Sequence, residues 1–367
     1  MALKDSSRPG ERAAAGIRAV ARRARVSPAT VSRVVNGQQT VDAKLARRVR
    51  DAIREMGYLP NLQARALGSG RSRVLGLIIS ELTNPFYPEL VRSFEDLAET
   101  SDYEIMLGSV IHNKQEHVKR FIRRLVQRRV EGVAVMTFRA DWEYLHELIL
   151  HKVPLVTIDI PVPDARCLVV EVDYRFGIDQ AVQHLALLGH RRIGFVSGPL
   201  QYFTNQARRD AFLESVQKVG LRPSATPVYE GDHTFEAGEA AIGHFLSLRD
   251  GPTAILSSND LTAVGVLKGL SERRMRVPEE MSVIGFDDIH MAEFAHPPLS
   301  TVRMSREDLA AAAFEGLMRL TQHSSSSAPE PIRVKTQLVV RQSTGPHRVG
   351  VPSGRGITDV GVPAESR

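Results

Sequence analysis

Apolar positions up to Met56 fall into three stripes at helical spacing. Ile17, Val20, Ala21 and Ala24 recur at i, i+3, i+4 and i+7. Val31, Val34 and Val35 follow after a gap wide enough only for a turn. Ser27 stands ahead of this second stripe as a helix cap, and Pro28 takes the first helical position, where a missing N–H costs nothing. Asn36-Gly37 closes it, because both residues tolerate a left-handed backbone. Leu45, Val49, Ala52, Ile53 and Met56 make the third stripe, with Asp42 placed to cap its start and Gly57 to end it. Three such faces close a small all-α core over residues 16–59. The short turn between the first two helices describes a helix-turn-helix, in which the second helix is the reader. Gly16 and Arg25 are weak choices for their places: Gly16 offers no hydroxyl cap, and Arg25 sits in a tight turn that favours Gly or Asn. Residues 1–15 show no period and are expected to be disordered.

Beyond Arg73 the pattern changes. Val74-Leu75-Gly76-Leu77-Ile78-Ile79 is a continuous apolar run, as a parallel strand buried on both faces requires. A helical stripe with Leu90, Phe94, Leu97 and Ala98 follows, and further strands are predicted at 104–107, 132–136, 155–158 and 168–172, with a helix near 116–127. After Asp173 the alternation restarts: helix 175–188, strand 193–197, helix 205–219, strand 228–229, helix 235–248, strand 254–256, helix 260–273 and strand 282–286. A helix at 305–321 and a strand around 334–340 complete it. Two successive βα blocks predict an α/β core, 74–344, of two doubly wound lobes. The expected division puts about 74–173 and 300–322 in lobe 1, and about 174–299 and 330–344 in lobe 2. Segment 60–73 lies between head and lobes. Asn61 is placed there to cap a helix of less than ~10 residues, which is coil when free and helical when packed against something. Ser324–Ser327 reads as a low-complexity loop, and the Gly- and Pro-rich residues 345–367 as a disordered tail.

Charge sharpens this division. Residues up to Arg73 carry sixteen Lys+Arg and five Asp+Glu, and the remainder 32 and 37, so the net +6 hides a strongly basic head on a mildly acidic body. A basic head carrying a reader helix is the footprint of a duplex-DNA binder. The single Cys167 excludes an intrachain disulfide and a cysteine-based zinc site, and it fits a reducing cytoplasm. No run approaches the ~20 apolar residues of a membrane span, and no apolar export segment accompanies Arg8 and Arg12. No membrane partner is expected.

The outward side of the second helix carries small and donor-bearing residues. Pro28 and Ala29 form its leading tip, Arg33 suits a guanine edge, and Ser27, Thr30, Ser32 and Asn36 suit phosphate or mixed contacts. Alone, such a face also fits any surface helix of a globular domain. The longer text is more specific. Val26-Ser27-x-Ala29-Thr30-Val31-Ser32-Arg33-Val34-Val35-Asn36-Gly37, Gly57-Tyr58-x-Pro60-Asn61 and Ala64-Arg65-Ala66-Leu67 come first. Gly76-Leu77-Ile78, Asn84-Pro85-Phe86, Leu188-Gly189-His190-Arg191-Arg192-Ile193, Asn259-Asp260 and Gly285-Phe286-Asp287-Asp288 follow in order. From about Ile17 to Ser343 the chain resembles the lactose-repressor/galactose-repressor (LacI/GalR) family of bacterial transcription regulators.

That resemblance implies a helix-turn-helix head, a hinge helix and a periplasmic-binding-protein type I core. It implies a homodimer on double-stranded operator DNA, controlled by a small-molecule effector, most often a sugar. The hinge helix, carrying Asn61, Ala64, Arg65 and Leu67, would pair with its twin in the minor groove, Leu67 wedging between base pairs; a plain linker is the other reading of 60–73. Effector contacts are implied at Phe86, Tyr87, Asp159, Thr204, Arg208, His233 and Asp287. These lie near predicted strand ends, where open α/β sheets collect ligands. Arg and Asp suit vicinal hydroxyls, and aromatic rings supply a flat wall. His233 stands where relatives often have a stacking aromatic. Phe86 also suits packing between lobes, Asp287 an acceptor for loop amides, and Asn259 a helix cap.

Enzyme readings find little support. There is no Gly-x-x-x-x-Gly-Lys-Ser/Thr loop, no Gly-x-Gly-x-x-Gly after a strand and no Gly-x-Ser-x-Gly elbow. His290 and His296 flank Glu293 in a predicted loop without metal-ligand spacing, and Asp287-Asp288 lack a third carboxylate. No cofactor and no metal are expected. The expected function is therefore a ligand-responsive DNA-binding regulator. The alternative is a solute-binding protein of the same core fold that binds no operator.

Overall fold

A computed structural model describes residues 16–35, 40–58, 71–110, 115–137, 142–322 and 329–347. The expected contacts Asn36, Asn61, Ala64, Arg65 and Leu67 lie outside these residues, as do the hinge helix, segment 1–15, the 324–327 loop and most of the tail. The described chain forms two compact units.

The first unit holds α1 (Ile17–Ala24), α2 (Pro28–Val35) and α3 (Ala43–Met56). Val20, Val31 and Val49 are fully buried at its centre, with Ala21, Ala24 and Ala52 between them and Ile17, Val34, Ile53 and Met56 at the margin. Small side chains let three short helices approach closely. Asp42 caps α3 by accepting from the Lys44 and Leu45 amides at 3.0 and 3.2 Å, and Gly57 ends it at φ 59°. Gly16 leaves α1 without a side-chain cap, as its sequence position predicts. Arg25 does take a left-handed backbone, φ 51°. The Arg48 guanidinium offsets that strain by donating to the Ala24 carbonyl at 2.6 Å and the Arg25 carbonyl at 3.4 Å, so α3 clamps the turn between the other two helices.

The second unit contains two six-stranded sheets. The first lobe's sheet has β1 (Val74–Ile79), β2 (Glu104–Ser109), β3 (Gly132–Met136), β4 (Leu155–Ile158), β5 (Cys167–Asp173) and β11 (Ile332–Lys335), in the order β11-β5-β4-β3-β1-β2. The second has β6 (Ile193–Ser197), β7 (Val228–Glu230), β8 (Ala254–Ser257), β9 (Ser282–Asp287), β10 (Ser300–Arg303) and β12 (Gln337–Val339), in the order β12-β10-β9-β8-β6-β7. Pairing is parallel from β1 through β3, β4 and β5 to β11, and from β7 to β10, while β12 joins the edge antiparallel. Around the sheets lie α4 (Phe86–Thr100), α5 (Gln115–Gln127), α6 (Trp142–Leu150), α7 (Tyr174–Leu187), α8 (Phe203–Lys218), α9 (Phe235–Ser247), α10 (Asp260–Glu272), the short α11 (Met291–Phe294) and α12 (Arg306–Gln322).

Two expected lobe boundaries need correction. Segment 300–303, placed with lobe 1, is a strand of the second sheet, where β10 pairs with β9. Segment 332–335, placed with lobe 2, belongs to the first sheet, where β11 pairs with β5. The single strand expected around 334–340 is thus two strands, one in each lobe, broken at Thr336. The chain crosses between lobes after β5, after β10 and at Thr336. Thr336 is fully buried; its hydroxyl donates to the Asp173 carbonyl at 2.6 Å and accepts from the Gly177 amide at 2.9 Å. A methyl group on Gly177 would meet Val302 at 2.4 Å and Thr336 at 2.6 Å, so only glycine lets the three crossings pack this closely.

Residues 341–347 return beneath the second sheet. The Val283 amide donates to the Ser343 carbonyl at 2.8 Å, and the Ser343 hydroxyl donates back to the Val283 carbonyl at 2.6 Å. His190, 2 % exposed, fastens this return: Nε2 lies 3.1 Å from the Gly345 carbonyl, Nδ1 lies 2.9 Å from the Thr253 hydroxyl, and the ring lies against His347. Burial pushes the His190 imidazole down to about 4, whereas an unfolded chain titrates near ~6.5. The unfolded state therefore binds more protons between these values, and stability falls as pH drops from about 6.5 to about 4, by roughly 3 kcal/mol at the limit. Urea denaturation at near-neutral pH and again near ~4.5 should show this loss in the wild type and a smaller one in His190→Gln. Parallel losses in both proteins would clear His190 of the effect.

Candidate nucleic-acid interface and ligand cleft

On α2 the sequence separates a buried side from an open one. Val31 is buried, while Ser27, Pro28, Ala29 and Arg33 are exposed and Thr30 and Ser32 are half-exposed. Ser27 does cap the helix: its Oγ accepts from the Thr30 amide at 3.1 Å and lies 2.9 Å from the Thr30 hydroxyl. The tip is therefore rigid, small and polar, and Arg33 stands one turn behind it. Arg18, Arg22, Arg25, Arg47 and Arg50 are also exposed on this unit. Nothing acidic faces outward from the first turn of α2. Such a surface offers shape for close approach and charge for phosphate.

In the second unit, the carboxyl ends of strands from both lobes meet around a cleft. It encloses about 540 Å³ of empty space, including the part open to solvent. Phe86, Tyr87, Arg208, His233 and Asp287 of the expected set line it, together with Asn84 and Asn259. Asp159 and Thr204 do not. The Asp159 carboxylate is spent on the Val172 amide at 2.8 Å and the Tyr174 hydroxyl at 2.5 Å, and burial raises its pKa. It bears on the cleft from behind, through the charge of Arg208 and through Tyr174, over whose ring Arg208 lies. Thr204 is buried in the first turn of α8. Ser80, Glu81, Tyr202 and Asn205 complete the wall. These four are absent from the residues expected from the sequence, although Ser80-Glu81 directly follow the first apolar run and Tyr202 and Asn205 follow the Ile193–Ser197 strand, positions where open α/β sheets collect ligands.

Each wall is fixed from behind. Asn84 accepts from the Phe86 amide at 3.0 Å and so starts α4, whose first two rings, Phe86 and Tyr87, meet edge to face at 5.4 Å. Tyr87 donates its hydroxyl to Ser80 at 2.8 Å, and Ser80 lies 2.6 Å from the Thr137 hydroxyl at the end of β3. Arg208, 4 % exposed, lies with its guanidinium carbon 4.3 Å from the Phe286 ring centre and 4.8 Å from that of Tyr174, while Nη1 donates to the Ser258 carbonyl at 2.6 Å. Two aromatic faces beside the cation favour its position and the orientation of its plane. Asn259 caps α10 by accepting from the Thr262 amide at 2.9 Å, as its sequence position suggests, and also donates to the His233 carbonyl at 3.1 Å.

Two cleft-lining residues adopt left-handed backbones, His233 at φ 72° and Asp287 at φ 114°, with Asp288 next to the latter at φ 58°, and Asp159 behind the wall does so at φ 53°. Such geometry costs on the order of 1–3 kcal/mol per residue and persists only where neighbours over-determine it. At Asp287 the neighbour is Arg306, whose Nη1 donates to the Asp287 and Asp288 carbonyls at 2.8 and 2.6 Å. Asp288 is held by Arg303 and Arg341 at 2.6 and 2.8 Å, and Asp260 accepts from Thr301 and the Ile289 amide at 2.6 and 2.9 Å. Glu89 of α4 joins the lobes here, accepting from the His290 amide at 3.0 Å and pairing with Arg306 at 3.0 Å. Burial pushes the Asp287 carboxyl up to about 7, against the pull of Arg208 and Arg306 and with a push from Glu89. Among the described residues no group of three or more His, Cys, Asp and Glu side chains assembles that could hold a metal ion.

Two family models match the chain: bacterial regulatory proteins of the lacI family over residues 16–61, and the periplasmic binding protein-like domain over residues 182–344. Catabolite control protein A of Priestia megaterium is 32% identical over 328 residues, spanning 89% of this chain and 98% of that protein. The HTH-type transcriptional repressor CytR of Escherichia coli (strain K12) is 30% identical, spanning 90% and 96%. Among solved structures, the Lac repressor dimer bound to operator and the anti-inducer ONPF superposes with TM-score 0.80 at 26% identity, over 91% of this chain and 100% of that one. The complex of transcriptional regulator CelR with cellobiose gives 0.67 at 29% identity, over 89% and 99%.

The cleft geometry makes one substitution informative. A methyl group on Gly198 would lie 2.0 Å from the His233 ring, yet the Gly198 backbone is one that any residue adopts. Gly198→Ala should therefore displace His233 and weaken binding of any cleft ligand by about tenfold or more, while the melting temperature moves only a few degrees. Unchanged ligand affinity by calorimetry would mean that His233 is not part of the recognition surface.

Proposed function

This chain belongs to the lacI family of bacterial regulatory proteins, and from that premise we propose that it is a transcriptional repressor acting as a homodimer on a pseudopalindromic operator in the cytoplasm, under the control of a small sugar-like effector. The observation that carries this reading is the exposed, Ser27-capped tip of α2 on a basic head, in a chain that also holds a two-lobed ligand cleft. In this reading Pro28 and Ala29 bring the helix against base edges, Arg33 is the main base-edge donor, and Ser27, Thr30, Ser32 and Asn36 meet phosphates. Asn61, Ala64, Arg65 and Leu67 form the minor-groove element of segment 60–73. Solved relatives hold an operator in one case and cellobiose in another, which supports both partners.

The effector cleft is placed to act on the lobes' relative position. Phe86 and Tyr87 come from one lobe, and Arg208, His233 and Asp287 from the other. Glu89 also reaches across, to the His290 amide. A ligand that prefers one lobe arrangement shifts the population towards it, and the coupling to DNA is reciprocal.

The experiment is selection of bound duplexes from a random-sequence pool by the full-length protein. A two-fold-symmetric consensus is expected; enrichment of nothing beyond background would reject the regulator and favour a solute-binding protein. On the selected site, Arg33→Ala should lose about 1–3 kcal/mol and relax preference at one base pair in each half-site. Equal losses on selected and scrambled duplexes would instead make Arg33 a backbone contact.

A further inference from the structure

The first sheet ends at β11, and among the described residues nothing pairs with the outer edge of this strand. A groove of about 1140 Å³, including the part open to solvent, runs beside it. Ile332 and Val334 of β11 and the small Ala311 and Ala312 of α12 line its first-lobe side, and Phe176 and Gln180 of α7 its second-lobe side. Lys335 joins the two sides, its Nζ standing 5.5 Å from the Phe176 ring centre. An open strand edge beside apolar side chains is a template for one more strand.

The helix behind the groove has an open face of its own. Phe176, Gln180, Gln183 and Leu187 fall on one side of α7, at i, i+4, i+7 and i+11. Its two large apolar members are 44 % and 89 % exposed, Phe176 at the groove and Leu187 at the far end. The last described residues lie at that far end. The His347 amide donates to the Leu188 carbonyl at 2.8 Å, and Thr344 Oγ1 lies 3.0 Å from the His184 ring. Segment 348–367 therefore starts where the exposed face of α7 starts. Gly- and Pro-rich as a whole, it contains one stretch of strand chemistry, Ile357-Thr358-Asp359-Val360-Gly361-Val362, in which β-branched residues predominate.

We infer that this hexapeptide docks in the groove as an added strand on the outer edge of β11, with residues 348–356 approaching along α7. Its direction follows from the path: the segment arrives at Phe176, beside Lys335 at the carboxyl end of β11, and so runs antiparallel to it. Its register follows from the alternation of side chains. Val360 opposite Val334 puts Val362 opposite Ile332, both pairs on the α12 face. The same register puts Asp359 opposite Lys335 on the other face, a cation that makes no ion pair with any described residue. The reach is sufficient: α7 from Leu187 to Phe176 measures ~17 Å, and residues 348–358 extend to ~36 Å. Pro363 then ends the pairing, as the outermost strand of a sheet allows. Because the groove takes one wall from each lobe and flanks the crossing at Thr336, the docked segment straps the lobes together at their hinge.

Hydrogen exchange of the full-length protein tests this. Amides of residues 358–362 should exchange at least about tenfold more slowly than an unstructured chain, and ending the chain after His347 should speed exchange within 332–335 by about threefold or more. The double variant Val360→Asp, Val362→Asp, which keeps the chain at full length, should do the same while leaving the melting transition in place. Exchange of 358–362 at the unstructured rate, or exchange within 332–335 that neither change alters, would overturn the inference. The variant Arg333→Cys, Gly361→Cys tests both register and occupant. Under mild oxidation its disulfide, mapped on unreduced peptides, should join the two positions within one chain. A covalent dimer through these positions would give the edge to a second copy and overturn the inference.

Discussion

The arrangement at the end of β9 depends on one strained dipeptide. Asp287 and Asp288 turn through left-handed backbone angles that no glycine relieves, and Arg306 holds both of their carbonyls. Without that clamp the Asp287 carboxylate would relax towards solvent or an amide, since a buried carboxylate with no hydrogen bond is costly. The surrounding charges are arranged to prevent this. Asp288 is neutralised by Arg303 and Arg341, and Asp260 is satisfied by Thr301 and the Ile289 amide. A methyl group at Gly285 would lie 2.0 Å from the Asp260 carboxylate, so the strand itself makes room for it. Strain is shared by Asp287 and Asp288, and of the two it is Asp287 that lines the cleft.

The same clamp links recognition to lobe position. Arg306 begins α12, which packs in the first lobe, while the carbonyls it holds belong to the second. Glu89 completes the connection from α4, the helix whose first turn supplies Phe86 and Tyr87. A ligand that engages Asp287 and Phe86 together therefore acts on the two ends of a hydrogen-bonded bridge between lobes, made by Arg306 and Glu89 to backbone groups of the second lobe. On the far side, the three crossings packed around Gly177, Val302 and Thr336 leave little room for sliding. Rotation about these crossings with opening at Glu89–His290 is the motion this geometry favours, a hinge rather than a shear.

Much of this architecture is legible in the residues, for local reasons. Val74–Ile79 and the later apolar runs announce strands buried on both faces, and Ser27, Asp42 and Asn259 announce helix starts through their capping side chains. Partner choice between distant strands is different. Nothing in Ser300–Arg303 or Ile332–Lys335 says which sheet each joins, because register is settled by pairing with β9 and β5, more than a hundred residues away in the second case. The sites divide in the same way. The family resemblance, with strand-end position beside it, points to Phe86, Arg208, His233 and Asp287, which line the cleft, but only the fold reveals that Asp159 is committed to Tyr174 and Val172. Side-chain commitments are properties of neighbours, and the sequence does not name the neighbours.

In the head the balance of forces is narrower. Its core amounts to a few valines and alanines with partly covered residues around them, so apolar burial supplies little beyond the entropy cost of ordering so short a chain. Arg25 adds backbone strain, and α1 begins without a cap. The exposed arginines repel one another as well, with Arg23–Glu55 and Arg54–Asp51 the ion pairs seen in this unit. Phosphates bound along this surface would remove that repulsion, and any ligand that binds only the folded head stabilises it by mass action. Folding of the head and its grip on DNA are then two sides of one equilibrium. The Arg48 clamp on the α1–α2 turn takes on weight for the same reason: it sets the angle of the reading helix in a unit with little other stability to spare.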